Sequence, residues 1–338
     1  MTLDELVVKI VEVKGSYYQI GLSQGSQLGE LIDNHLINTN FDHQSAKEKM
    51  ETFAPYLLDE LKGLSESLSL PLEVLLEQCS GYNVDFPVMG CTTFVQDHCY
   101  IRNYDFAPEL YDARLVFCQP ENGYASVGFS QQIMGRLDGM NEKGLVVGLH
   151  FVNQAYKKEG FLATSIVRMV LESCRSTEEA IQLIMKVPHR YCYNFSVTDR
   201  MGKSAVIEAT PEKQMANFSQ PLLCTNHFEI EDLKSKNRNE MIGSINRKKY
   251  LFNLANQNLS INELFKVFNT EKSPLFFHNY KEYFGTLHTV AYSPADLKVM
   301  VGVGQNSDPY IFSFEDWKKG ALKLPSFLKG VIQLRENK

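Results

Sequence analysis

A cysteine that follows a glycine, opens a β-branched run and has an arginine and an aspartate close behind it holds the parts of a self-processing nucleophile. Cys91 follows Gly90 and opens Thr92-Thr93-Phe94, and Arg102 and Asp105 come within the next fourteen residues. A thiol attacks as thiolate, and at neutral pH most of a free cysteine is protonated. An α-amino group titrates near ~8, closer to neutrality than a lysine does. A cysteine that is also an N-terminus therefore carries its own base. Cleavage between Gly90 and Cys91 would create one. The thiol adds to the Gly90 carbonyl, the chain passes from amide to thioester, and water hydrolyses the thioester. Glycine leaves that carbonyl uncrowded and its backbone free to strain. On this reading residues 1–90 are a pro-segment and 91–338 the catalytic part. Taken alone, the same residues equally describe a buried, inert cysteine at a strand start and a structural ion pair.

The elements around this stretch must bring the groups together. Strand 91–95, turn Gln96-Asp97-His98 and strand 99–105 form a hairpin in which Cys91 lies opposite about Asn103. Residues 102 and 105 point to opposite faces of a regular strand. Both reach Cys91 only if a bulge falls between them, so a bulge is expected there. Asp105 would then orient the α-amine, and Arg102 would favour the thiolate by charge.

Upstream the texture is mostly helical. A strand at 6–13 precedes a helix over 16–37, with Gly21, Gly25 and Gly29 four apart on one face. The apolar residues of 45–66 repeat as in an amphipathic helix. Pro71 opens another that runs to Cys79. After residue 91 the pattern becomes short apolar runs, at 91–95, 99–106, 113–119, 124–130, 132–138 and 145–152, with Gly139–Gly144 as a tight turn. Helices are expected at 163–174 and from Ser176 to Pro188, where Ser176 and Glu179 form a capping box. Strands at 192–199, 203–209 and 220–224 lead into Thr225-Asn226-His227. Helices at 240–255 and 260–269 and strands at 286–293, 298–304 and 309–313 complete the chain. Strands, two helices, strands, two helices and strands point to an α+β fold, sheet on sheet with helical layers outside.

Composition sets the bounds. The chain has 338 residues, a formal net charge of −6, 44% hydrophobic and 22% charged residues. No basic run suggests a nucleic-acid footprint. No stretch of eighteen apolar residues suggests a transmembrane helix, and the acidic start Met1-Thr-Leu-Asp-Glu is unlike a signal peptide. A cytoplasmic protein is expected, with no membrane partner. The seven cysteines are scattered without a C-x-x-C pair, so neither a metal site nor a disulfide framework is indicated.

Four stretches in order carry a resemblance: Gly90-Cys91-Thr92-Thr93, Arg102-Asn103-Tyr104-Asp105-Phe106, Gly139-Met140-Asn141-Glu142-Lys143-Gly144-Leu145, and Thr225-Asn226-His227. Together they resemble the N-terminal-nucleophile (Ntn) amidohydrolases, in particular the acyl-CoA:6-aminopenicillanate acyltransferase-like branch. Choloylglycine hydrolases, penicillin V acylases and acid ceramidases are relatives of that branch. The resemblance implies a four-layer αββα sandwich behind a mostly helical pro-segment. It implies Cys91 as nucleophile, with Arg102 and Asp105 tuning and orienting it. It implies Asn226 as the side-chain donor to the oxyanion, and His150, where relatives carry Asn or Tyr, as the backbone N–H that completes the hole. It also implies a second arginine, Arg247 or Arg238, of which Arg247 is preferred.

The expected activity is hydrolysis or acyl transfer at a linear, non-peptide amide through an acyl-thioester on Cys91. It needs no cofactor, and its partner is a small-molecule amide or acyl donor. Whether the acyl group goes to water or to an amine is left open, as is a homo-oligomer. Two readings of other classes stand beside it: an uncleaved, non-catalytic binding or scaffold protein, and a conventional Cys–His hydrolase using one of the eight histidines. The aromatic stretch Phe276-Phe277-His278-Asn279-Tyr280 with Tyr283 and Phe284 either lines an acyl pocket or packs as ordinary core.

Overall fold

The computed structural model describes residues 2–28, 41–280 and 284–334. The chain opens with β1 (Thr2–Gly15), which buries both faces: Leu6, Val8 and Ile10 enter the main core, while Val11 and Val13 pack with Ile20. Four helices follow, α1 (Tyr17–Leu28), α2 (His43–Phe53), α3 (Pro55–Leu68) and α4 (Leu72–Cys79). The single helix expected over 45–66 is two. Pro55 has no N–H to continue α2 and takes the first turn of α3 instead. Helix α1 crosses α3 closely, since a Cβ on Gly21 would meet the Glu60 carbonyl oxygen at 2.0 Å. Gly29 and the rest of the helix expected to 37 lie outside the described residues.

From Gly90 the chain turns to strands: β2 (Gly90–Gln96), β3 (Cys99–Phe106), β4 (Arg114–Pro120), β5 (Ser126–Gln131), the short β6 (Gly135–Arg136), β7 (Asp138–Asn141) and β8 (Val146–Asn153). Helices α5 (Ala163–Ser173) and α6 (Thr177–Lys186) come next, then β9 (Cys192–Thr198), β10 (Ser204–Ala209), β11 (Gln214–Phe218) and β12 (Leu222–Cys224). Helices α7 (Ile242–Leu254) and α8 (Ile261–Asn269) precede β13 (His278–Asn279), β14 (Phe284–Ser293), β15 (Lys298–Val303) and β16 (Tyr310–Ser313). Helix α9 (Phe314–Lys318) and β17 (Phe327–Leu334) end the described chain. Neither of these, nor β11, carries an apolar run long enough to be expected from the sequence.

Two sheets face each other. The larger runs β11-β10-β9-β8-β7-β5-β4-β1-β17, with β6 on β5; the smaller runs β12-β2-β3-β14-β15-β16, with β13 on β14. Pairing is antiparallel apart from β1 against β4. Side chains meet between the sheets: the rings of Phe129 and His288 stack at 3.5 Å, and the hydroxyls of Tyr100 and Ser196 lie 2.8 Å apart. Leu251, Leu254, Leu264, Phe265 and Phe268 from α7 and α8 cover the outer face of the small sheet at Phe94, Ile101, Ala291 and Met300. Helices α5 and α6 contact the large sheet along β5–β11, and α1 contacts β1. The result is the four-layer αββα sandwich of an α+β protein.

Residues 2–28 and 41–90 are built into this sandwich. β1 lies between β4 and β17 in the large sheet. Glu60 of α3 is buried against Arg168 of α5, oxygen to nitrogen 2.7 Å. Among the described residues no helix is long and apolar enough to cross a membrane.

Candidate active site

Cys91 is the second residue of β2, at the inner mouth of the β2–β3 hairpin. The hairpin turns through Asp97 and His98 alone, both left-handed, at φ 48° and 59°. A two-residue turn of that kind matches the twist of its strands. It sets Gly90 opposite Asp105 and Cys91 opposite Tyr104, one residue on from the expected Asn103. β3 stays in unbroken register with β2, so the bulge expected between residues 102 and 105 is absent from that ladder. The irregularity sits on the other neighbour, between Thr286 and His288 of β14.

Regular register divides the hairpin's chemistry between two faces. Tyr100, Arg102 and Tyr104 point between the sheets, with the Cys91 thiol. Ile101, Asn103 and Asp105 point to the helical layer, where Asn103 donates to the carbonyls of Phe268 and Leu275 at 2.8 and 3.0 Å.

On the inner face, Arg102 Nη2 lies 2.8 Å from Cys91 Sγ and donates to the Leu149 carbonyl at 2.7 Å. Its Nη1 pairs with Asp138, and both side chains are fully buried. Tyr292 donates to the other Asp138 oxygen at 2.6 Å. His288 lies against the same carboxylate at 3.8 Å and bonds Tyr111 through Nδ1 at 2.7 Å. Burial works to raise the Asp138 carboxyl, but Arg102, His288 and Tyr292 outweigh it and hold it below the usual carboxylate range. Burial pushes the Cys91 thiol up to about 11 although Arg102 pulls the other way. Burial, with the charge of Asp105 behind it, prevails over the two arginines, and the thiol in the unbroken chain is protonated at neutral pH.

On the outer face, Asp105 accepts from Thr286 Oγ1 at 2.6 Å and from Arg247 Nη1 at 2.8 Å. Burial raises its carboxyl against the pull of Arg247. Arg247 comes from α7, and its Nη2 donates to Asn226 Oδ1 at 2.8 Å. That same oxygen accepts the Cys91 backbone N–H at 3.0 Å. Two donors on Oδ1 fix the amide's orientation, so Nδ2 is its donor side, and it bonds the Phe151 carbonyl at 2.8 Å. Ser244, also on α7, holds the Asn226 N–H at 2.8 Å. Arg238 makes none of these bonds and donates to the Glu240 carbonyl at 3.1 Å.

Gly90 has no room for a side chain. A Cβ there would meet Asp105 Oδ2 at 2.8 Å and the Phe284 ring at 3.0 Å. Close approach of a carboxylate, more than backbone freedom, is what requires glycine before Cys91.

His150 is buried between the sheets, its Nε2 2.9 Å from Ser196 Oγ. Burial, then the charge of Arg102, keeps its imidazole well below the usual range and so neutral. The Leu149 N–H donates to the Leu137 carbonyl at 3.1 Å, on the side of the strand away from β9. Backbone groups alternate sides along a strand, so the next residue, His150, turns its N–H to its β9 partner Asn194. The N–H expected in the oxyanion hole therefore serves the sheet.

Asp138, Tyr292, Thr286 and Ser244 support the site and carry no signal in the sequence. They come from β7, β14 and α7, far in sequence from Cys91. In the aromatic stretch, Phe276 and Tyr280 are buried, with Tyr280 donating to the Thr286 carbonyl at 2.6 Å, Phe277 is exposed, and Phe284 flanks Gly90. Tyr283 lies outside the described residues. Among the described residues no three His, Cys, Asp or Glu side chains are grouped as metal ligands would be.

Residues 94–308 match the family described as acyl-coenzyme A:6-aminopenicillanic acid acyl-transferase. The match starts three residues after Cys91 and includes Arg102, Asp105, His150, Asn226 and Arg247. No curated protein matches the chain. Solved structures similar to it include a mutant of conjugated bile acid hydrolase from Clostridium perfringens, 15% identical over 68% of this chain and 93% of that one, TM-score 0.48. Penicillin V acylase from Agrobacterium tumefaciens is 14% identical over 66% and 86%, TM-score 0.41. The Caenorhabditis elegans ortholog of N-acylethanolamine-hydrolyzing acid amidase is 13% identical over 61% and 93%, TM-score 0.42.

Proposed function

The chain belongs to the acyl-coenzyme A:6-aminopenicillanic acid acyl-transferase family, and from that premise we propose that it cuts itself between Gly90 and Cys91 and then transfers acyl groups from linear amides through the freed cysteine. The observation that carries the proposal is the pair of contacts on one residue: a guanidinium 2.8 Å from the Cys91 thiol and the Asn226 carbonyl oxygen 3.0 Å from the Cys91 nitrogen.

The cut would begin with Sγ adding to the Gly90 carbonyl. The C–N bond breaks, the proton goes to the departing nitrogen, and a thioester joins Gly90 to Cys91. Water hydrolyses it, leaving a carboxylate on Gly90 and an α-amine on Cys91. This cut is also the activation step. Arg102 and Asp138, and Arg247 and Asp105, balance as two pairs, so when the new amine takes the thiol's proton, the ammonium it becomes is the added charge that stabilises the thiolate. Asn226 Oδ1 is already placed to accept from the amine, with Asp105 beside Gly90.

In turnover Sγ adds to the substrate's acyl carbon, its proton moves to the α-amine, and the amine returns it to the leaving nitrogen. The second N–H of Asn226 Nδ2 would donate to the developing oxyanion, the first staying on the Phe151 carbonyl. One such donor supplies about 3–4 kcal/mol of transition-state stabilisation. The acyl-thioester is resolved by water or by a second amine, so hydrolysis and transfer share one intermediate.

The test is the intact mass of the denatured protein, wild type and Cys91→Ala, with amide turnover measured on the same samples. Two pieces divided at Gly90-Cys91 in the wild type and one in the variant are expected. An unbroken wild-type chain that hydrolyses amides sinks the N-terminal nucleophile in favour of a conventional cysteine hydrolase. An unbroken chain with no activity favours a binding protein of this fold.

A further inference from the structure

The segment that ends at the scissile bond occupies ground a substrate needs. Residues 83–89 run outside any helix or regular strand between α4 and β2. Asp85 in this strap accepts from Lys157 Nζ at 2.9 Å, from Arg190 Nη2 at 2.8 Å and from the Tyr191 hydroxyl at 2.7 Å. These donors hold its carboxyl well below the usual range. Next to it Phe86 stacks on Phe106, ring centroids 5.5 Å apart, and Met89 is buried.

Phe86 and Met89 roof a cavity whose walls include Leu149, Phe151, Leu162 and Tyr193. Leu149 and Phe151 are the residues whose carbonyls Arg102 and Asn226 hold, so the cavity abuts the surroundings of the thiol. With the roof in place it offers about 10 Å³, no more than one water needs. Tyr191 joins the two regions, its ring in the cavity wall and its hydroxyl on Asp85. Arg190 does not depend on Asp85 alone for its position: it also donates to the Lys158 carbonyl at 3.1 Å, and its side chain is 11% exposed, while Lys157 is half exposed and bonds Asp85.

In the self-cutting step Gly90 supplies the acyl carbonyl, so the residues before it lie on the acyl side of the site. Resting on the function proposed above, we propose that this strap stands in for the acyl part of the substrate, and that Lys157, Arg190 and Tyr191 form a subsite for an acid group at the far end of an apolar acyl chain. Once the Gly90-Cys91 bond is gone, nothing covalent ties the strap to the nucleophile. An apolar chain takes the places of Met89 and Phe86. A carboxylate takes the place of Asp85, because two charged donors and a phenol otherwise lose their acceptor. Five residues separate Asp85 from Cys91, an extended reach of at most about 22 Å. The acid group is therefore within that distance of the scissile carbonyl.

The experiment compares the p-nitroanilides of decanoic acid and of its ω-carboxy analogue on fully cut protein. A kcat/KM at least about tenfold higher for the acid-bearing anilide is expected, and the acid-to-neutral ratio falls about tenfold in Arg190→Gln and about threefold in Lys157→Gln, whose side chain is more exposed. Each ratio is read on the cut fraction alone, so slower processing in a variant does not enter it. Equal or better use of the neutral anilide by the wild type, or a ratio unmoved in both variants, removes the subsite and leaves the amide-cleaving reading standing. Cut protein that turns over neither anilide, with Cys91 unacylated by mass, overturns both.

Discussion

If the bond before Cys91 is cut, β1 and α1–α4 are expected to stay in place while the strap after them yields, and Glu60 is the residue through which that grip can be measured. Its two oxygens take Arg168 Nη2 at 2.7 Å and Nη1 at 3.4 Å, and Gln24 donates to it at 2.5 Å. Both members of the Glu60–Arg168 pair are fully buried. Removing one partner of a buried ion pair strands the other charge, at a cost of about 3–5 kcal/mol. Arg168 keeps Glu172 as a second partner, so Glu60→Gln belongs at the lower end, about 3 kcal/mol. With a urea dependence of about 3 kcal/mol per molar for a chain of this size, the midpoint moves down by about 1 M. The assay is gel filtration of the cut protein across a urea series, with the mass of each peak identifying the two pieces. Lys62→Gln is the control, because its pair with Asp59 is exposed and an exposed pair is worth about 0–1 kcal/mol. A Glu60→Gln midpoint within about 0.3 M of wild type refutes the estimate built on that slope. Loss of the 1–90 piece from wild type without denaturant refutes the larger argument, that a strand held between β4 and β17 cannot leave a folded sheet.

Gly90→Ala should slow or stop self-cutting while the chain still folds, because the added methyl meets Asp105 and Phe284; gel mobility after overnight incubation reads it, and full cutting at the wild-type rate contradicts the steric argument. Arg102→Gln removes the guanidinium 2.8 Å from the thiol and leaves Asp138 with Tyr292 and His288 as its partners; amide turnover of cut protein should fall by about 10²-fold or more, and recovery by Arg102→Lys would show that charge alone suffices. Buried thiols make the fold alkali-sensitive. Cys79, Cys99, Cys118 and Cys192 are pushed up to about 12 by burial, and Cys91 and Cys174 to about 11. Their folded values lie above the unfolded value of ~8.5, so the folded chain holds more protons between the two. Stability is thus full below about pH 8.5 and falls as pH rises through 11 to 12, and a thermal midpoint unchanged from pH 8 to 11 contradicts this.

The chain by itself determined a good deal. The change of texture at Gly90 marks the boundary between the helices and the hairpin. Local signals of caps and turns placed α6 and α8 within a residue or two, because Ser176 and Ser260 bond their own third residues on. The order of strands and helices determined the layered α+β class. Tertiary structure decided what lies across from what. A one-residue difference in the turn at Asp97-His98 sets Cys91 opposite Tyr104, and with that parity Arg102 faces the thiol while Asp105 faces α7. Asp138 joined the site because β7 lies in the opposite sheet, a proximity no spacing encodes. His150 kept its N–H for β9 because sides alternate along a strand, a fact that needs the ladder partners to be known. Gly90 is required by the Asp105 carboxylate that packs on it. Local geometry is written in neighbouring residues; a site shared by two sheets depends on which strands meet, and that was settled only when the whole core was packed.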